Sequence, residues 1–357
     1  MAVAQPSTSL LERLEELINI DADTLDYDFI QSLPIIPHDQ TSNPFWLHMQ
    51  MSDPKNAGVV KKVARELQDE GFLAVYTRLA VLFSSQNLTA ISGRVLVQTL
   101  PSTANDVNAT VEHARAYVAE FARAGVPRDR YCIKIMATGA GVNAAEVLSG
   151  EGIPTLGTGI FSVEQAVACS QAGCLFISPY YNDVADPAIE HPFSNRLLQM
   201  VKAFKDMHTK TGRRQPLIKN AAFRSWQEVV ASAEIGCHSA TISIQTLKEL
   251  AETPACDVTL PALRKVAALE NPYAADSHIP PSRLRSLLEG DPLAQAESWT
   301  PCNLDIDYLS DLGKELEKAL NADDAARRRF GDALGWFLQT EAESRNLIQG
   351  FWAETHL

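Results

Sequence analysis

The 357-residue chain carries 44 acidic and 31 basic residues, a formal charge of -13 at pH 7, and a pI near 5.1. That balance disfavours a nucleic-acid or anionic-membrane partner, since phosphates are gathered by clustered Lys and Arg, and favours a small-molecule substrate. Six cysteines without C-x-x-C spacing indicate neither a zinc centre nor a disulfide framework; with no basic-then-apolar leader and no apolar run approaching about 18 residues, a cytoplasmic protein is expected.

In chain order, Ser9-Leu10-Leu11-Glu12 has capping-box spacing and predicts a helix from Ser9, with Leu10, Leu11, Leu14, Leu17 and Ile18 on one face. Short apolar, β-branched runs follow and read as strands near 18–23, 35–41, 93–99, 131–137, 155–159, 174–180, 217–222 and 240–243. Helical periodicity fills the gaps, for example over 108–124 and 162–172. Strands alternating with helices imply parallel pairing, and eight such repeats predict an α/β protein built as a (β/α)8 TIM barrel. Additional helices are expected at both ends, near 306–320 and 325–349 at the C-terminus, with charged faces turned to solvent. The chain reads as one domain, residues 1–357: a barrel core over about 18–250, an irregular proline-punctuated wrap over 251–303, and C-terminal helices over 304–357.

Lys134 interrupts the apolar run 131–138, where an ammonium group is costly to bury. A lysine desolvated in this way is a nucleophile able to form a Schiff base with a carbonyl compound. The plainer reading is a stem packed along apolar surface with its head at solvent or on a carboxylate. Barrel chemistry gathers at the carboxyl ends of strands, and polar residues interrupt those ends at Asp23, Thr41, Asn43, Gln98, Thr138, Thr158, Ser178, Tyr180 and Asn220, with Arg224 just beyond. Asp23, Gln98, Thr158 and Tyr180 supply acid, base and water-ordering groups. Each has a structural alternative: a cap for Asp23, buried backbone for Gln98, core packing for Tyr180. Gly139-Ala140-Gly141-Val142-Asn143-Ala144 imitates a dinucleotide fingerprint, but the next strand ends in Gly157-Thr158-Gly159 without the acidic residue that holds a ribose. It reads as a tight turn into a helix whose N-terminus is open to an anion. No cofactor is expected, and the eight histidines lack metal-ligand spacing, so no metal is expected either.

From Asp21 to about Leu250 the chain resembles the transaldolases, Schiff-base aldolases on a (β/α)8 barrel. The matching segments are 22–26, His38 to Pro44, Tyr131 to Thr138, 143–146, Phe161-Ser162, 166–173, Ile177-Ser178-Pro179, Ala221 to Arg224, and 247–250. The resemblance implies Lys134 as the Schiff-base lysine and Asp23 as the acid/base. It implies Thr41, Asn43 and Ser178 as contacts to the ketose, Thr158 as a holder of the catalytic water, and Arg224 as a phosphate contact. Four positions depart from the family pattern: Gln98 for glutamate, Tyr180 for phenylalanine, Leu156 for asparagine, and Asp183 for a phosphate-binding arginine. The Gln98 and Tyr180 pairing resembles the related fructose-6-phosphate aldolases, which implies direct aldol chemistry alongside transfer of a dihydroxyacetone unit. Asp183 sets a like charge beside a phosphate, so an unphosphorylated or specialised carbonyl substrate is expected. The resemblance also allows a homodimer through the helical C-terminus. The rival functional expectation is a catalytically silent barrel that binds a metabolite or partner.

Overall fold

A computed structural model describes residues 8–182, 193–257, 259–260, 265, 271–274, 282–294 and 299–353. Eight strands, β1 (Asn19–Asp23), β2 (Gln40–Thr41), β3 (Val95–Gln98), β4 (Tyr131–Met136), β5 (Thr155–Ile160), β6 (Phe176–Pro179), β7 (Leu217–Asn220) and β8 (Ser239–Ser243), close into a barrel in chain order. Every neighbouring pair is parallel, and β8 returns to β1 over five residue pairs from Asn19↔Ser239 to Asp23↔Ser243. The eight expected strands are therefore present. β2 is shorter than its apolar run predicts: Pro34 and Pro37 bring no N–H to a ladder, and Ile36 stands 70% exposed.

Alternation along the strands divides the barrel from its jacket. Ile20, Ile133, Ile135 and Ile177 face outward into the helix layer and are fully buried there. Among inward residues, Leu96, Cys132, Leu156, Phe176 and Leu217 form an apolar cluster on the β3–β7 side. Against it, β1, β7 and β8 contribute Asp21, Lys219 and Ser239 to a buried polar cluster that Asp39, just before β2, completes.

The helices start where local chemistry directs. Ser9 and Glu12 form the expected capping box on Leu10–Glu15, and Ser162 with Gln165 forms another on Val163–Gln171. Gly141 is obligatory, because a Cβ there would stand 1.9 Å from the Met136 carbonyl oxygen. The helix N-terminus behind it already holds an anion: Gly139 N–H donates to Glu317 Oε1 at 2.6 Å, which corrects the expectation of a site open to a ligand. The C-terminal helices run over Ser310–Ala322 and Asp324–Ala353. The first begins later than its periodicity predicts, since the Asn303 and Asp307 side chains accept from the backbone N–H of Asp305 and Leu309, both at 3.0 Å, and hold that stretch in turns. Beyond the Ile244–Glu252 helix, the helices among the described residues up to 303 are only three or four residues long. No described helix is long and apolar enough to cross a membrane.

The Asp324–Ala353 helix is only partly a solvated helix. It is fastened to the barrel by Glu341, which accepts from Ser102 N–H at 3.0 Å and Ser102 Oγ at 2.8 Å. The Trp352 indole adds a bond to the Ala64 carbonyl at 2.7 Å. Just ahead of the Glu341 tie the helix lays Trp336 and Phe337 over the carboxyl ends of the strands.

Candidate active site

The strand ends converge on a cavity of about 230 Å³. Its polar floor consists of Asp23, Asn43, Lys134, Ser178, Tyr180, Thr241 and Ser243; Ala221, Ala222 and the rings of Phe45, Trp46, Trp336 and Phe337 complete the wall. A larger hollow of about 420 Å³ lies beside Arg196. There the guanidinium is already held by Asp291 and Asp323, each at 2.8 Å, so the smaller cavity is the one that presents a reactive amine.

Lys134 is 4% exposed. Its Nζ donates to Thr41 Oγ1 at 3.1 Å and to the Ser42 carbonyl at 3.0 Å, both uncharged acceptors. Burial lowers its pKa to about 8, against an opposing pull from the Asp23 carboxylate. Asp23, from the end of β1, is shifted the other way: burial raises its pKa, although the Lys134 charge and a hydrogen bond from the Trp46 side chain restrain the rise. An amine drawn toward neutrality thus shares one cavity with a carboxyl group drawn toward protonation.

Tyr180 lines the same cavity, and its hydroxyl meets the buried Thr158 Oγ1 at 3.1 Å. Burial raises the Tyr180 pKa, so the phenol stays protonated. Asn43 caps the Pro44–Ser52 helix by accepting from Trp46 N–H at 3.2 Å, which commits its oxygen and leaves its amide nitrogen for a ligand. Ser178 is a further wall residue, and Thr41 reaches the site through Lys134. Ala222 enters the wall with a left-handed φ of 62°, where Asn182 Nδ2 holds its carbonyl at 3.0 Å.

Gln98 and Arg224 do not line the cavity. Gln98 pairs in register with Lys134 but is absent from the cavity wall: its amide nitrogen rests on Met136 Sδ at 3.6 Å, and its Oε1 is buried without a partner. Arg224 lies beyond β7, outside the wall, where its backbone N–H donates to Glu228 Oε2 at 2.7 Å and turns the chain into the next helix. Asp183 lies outside the described residues. Leu156 belongs to the apolar cluster within the barrel, so its difference from the family pattern sits beside the cavity wall instead of in it.

Sequence reading missed Lys219, a second lysine in an apolar strand run and 1% exposed. Its Nζ meets Asp39 Oδ2 at 2.8 Å, Asp21 Oδ2 at 3.0 Å and Ser239 Oγ at 3.0 Å, and lies 4.6 Å from the Phe176 ring centroid. Burial works against the charge, but the two carboxylates outweigh it and raise the pKa. His38 completes the cluster at 3.3 Å from Asp39 and 3.5 Å from Asp21. Burial alone would lower its pKa, yet hydrogen bonds to these carboxylates hold it at about 9. Asp21, His38 and Asp39 lie close enough together to hold a cation, and the Lys219 ammonium meets that demand. Also missed were the aromatic rings of the wall; the visible signals were Phe45-Trp46 directly after the Asn43-Pro44 pair and Trp336-Phe337 within a charged helix.

Residues 20–278 match the family model described as Transaldolase/Fructose-6-phosphate aldolase. Similar proteins named Transaldolase include one from Gloeobacter violaceus, 32% identical over 262 residues (69% of this chain and 66% of that protein). One from Nostoc punctiforme is 33% identical over 269 residues (70% and 78%), and one from Prochlorococcus marinus is 30% identical over 308 residues (80% and 87%). The match to the Gloeobacter protein thus spans just under two thirds of its length.

Proposed function

We propose, for a chain that belongs to the transaldolase/fructose-6-phosphate aldolase family, that it makes or breaks a carbon–carbon bond through a Schiff base on Lys134. The carrying observation is the pairing of Lys134 Nζ with two neutral acceptors in a cavity that also holds Asp23. A neutral amine has two N–H bonds; Thr41 and Ser42 account for both, and the lone pair remains for a carbonyl carbon.

Lys134 attacks the donor ketone, and loss of water from the carbinolamine gives an iminium. Asp23, whose pKa burial raises, exchanges the proton of the substrate hydroxyl as the carbon–carbon bond opens or closes. The Tyr180 and Thr158 hydroxyls hold the water that leaves as the iminium forms and that later hydrolyses it, with Gln98 Oε1 as a further acceptor near Lys134 on the neighbouring strand. The same enamine serves transfer of a dihydroxyacetone-type unit and direct aldol addition; Tyr180 and Gln98 favour the latter. A silent metabolite-binding barrel is the weaker reading, because its cavity would have no use for a depressed lysine beside a raised aspartate.

Incubation with dihydroxyacetone or fructose 6-phosphate followed by borohydride should add one donor mass, reduced, at Lys134. Failure to label Lys134 with any ketone or aldehyde tried would overturn the proposal. If labelling occurs and product forms from a single aldol substrate with no acceptor added, the direct reaction is the one catalysed.

A further inference from the structure

Part of the cavity wall is built from rings. Phe45 stands 5.0 Å from Trp46 and 5.1 Å from Trp336 between centroids, and Trp336 stacks on Phe337 at 5.3 Å. The four make one connected aromatic surface, supplied half by the Pro44–Ser52 helix and half by the C-terminal helix. Glu341 and Trp352 tie the C-terminal helix to the barrel and hold its half of that surface in place.

Charge is scarce in the same space. Lys134 and Asp23 are the charged residues in the described wall, and both are engaged in the proposed chemistry. Neither Arg224 nor the buried Arg329 contributes to it. A phosphate ester entering here would leave its hydration for a carboxylate and four rings, without the bidentate cation that makes such burial favourable. An apolar substituent would instead exchange water for ring faces, with offset or edge contacts available on several sides.

We infer that the acceptor of the Lys134 enamine is an uncharged aldehyde bearing an aromatic group, and that Trp336 and Phe337 select it. The inference rests on the Schiff-base reading above and names the substrate class of that site. In the addition step the enamine carbon bonds to the aldehyde carbon, the aldehyde oxygen takes a proton from Asp23, and water releases the product from Lys134. In cleavage the same atoms run in reverse and the aromatic aldehyde leaves.

The test uses the full chain with dihydroxyacetone as donor and compares phenylacetaldehyde with glyceraldehyde 3-phosphate as acceptors. The expected kcat/KM ratio favours phenylacetaldehyde by at least about tenfold, and Trp336→Ala lowers that ratio about tenfold, the usual discrimination of an apolar subsite. Phe45→Ala, on the other helix, lowers it in the same direction and covers the case in which the Trp336 variant fails to fold. A wild-type preference for glyceraldehyde 3-phosphate, or an equal loss for both acceptors in the variants, overturns the inference. Borohydride labelling of wild-type Lys134 by dihydroxyacetone separates the two failures. A labelled lysine with a phosphate preference sinks the aromatic acceptor alone, whereas an unlabelled one sinks the Schiff-base reading and this inference with it.

Discussion

Lys134 and Lys219 enter the same barrel from β4 and β7 and are almost equally shut off from water, at 4% and 1% exposed. Their surroundings differ in one respect that decides their chemistry. Lys219 donates to the Asp21 carboxylate and the Ser239 hydroxyl and is ion-paired with a second carboxylate, Asp39, at 2.8 Å, and its pKa is raised. Lys134 finds two uncharged oxygens and a single carboxylate acting across the cavity, and its pKa falls to about 8. Burial is common to both, so it does not select the nucleophile. The number of carboxylates within hydrogen-bond reach does.

The sharpest way to break this contrast is to remove each amine in turn. Lys134→Met should abolish borohydride labelling and lower turnover by on the order of 10⁴-fold or more, as expected when a covalent nucleophile is lost. Its urea unfolding midpoint should move little, because only two neutral hydrogen bonds are lost, each worth about 1 kcal/mol. Lys219→Met should do the opposite. Two buried carboxylates without their ammonium cost roughly 3–5 kcal/mol of stability, while whatever remains folded should still be labelled at Lys134. Adding Asp21→Asn and Asp39→Asn to Lys219→Met should recover most of that loss. A Lys219 variant that folded normally but escaped labelling would mean that the roles of the two lysines are assigned the wrong way round.

Acidity gives a graded version of the same test. His38 has a folded pKa of about 9 against an unfolded value of 6.5, so the stability it contributes is fully present below pH 6.5 and is lost as pH rises through 9. That loss amounts to up to about 3 kcal/mol and should appear as a falling unfolding midpoint, flattened in His38→Asn. Over the same range Lys134 behaves inversely, since its neutral fraction grows as pH rises through about 8. Labelling should therefore accelerate with pH and level off above that value while the fold weakens. The smallest expected effect comes from giving Lys134 what Lys219 already has. Thr41→Asp places a carboxylate where a hydroxyl now stands 3.1 Å from Nζ. It should raise the midpoint of the labelling profile by about one unit or more and slow labelling near pH 7 about tenfold. An unchanged profile would show that carboxylate count does not control the amine.

Much of this molecule was legible from local pattern. The eight strands, the Ser9 capping box and the inward placement of Lys134 follow from alternation and cap chemistry, which act over a few residues. The shortened β2 was harder, because its prolines compete with an apolar run that reads as strand. The site was legible where a polar residue ends a strand, as with Asp23, Ser178 and Tyr180. It was illegible where the wall comes from far along the chain, as with Trp336 and Phe337. For Gln98 and Arg224 the resemblance supplies a role but not a position: the Gln98 carboxamide, beside Lys134 in register, turns its nitrogen onto a sulfur, and Arg224 lies on the loop beyond β7.

By itself the sequence determined a parallel eight-stranded barrel with basic side chains buried among apolar strands, because periodicity and turn chemistry are short-range properties. Only the tertiary structure decided which lysine keeps its proton. That answer depends on carboxylates brought to Lys219 from as far as 198 residues away and withheld from Lys134, and electrostatic energy in a buried site is set by distance in space, not by position in the chain.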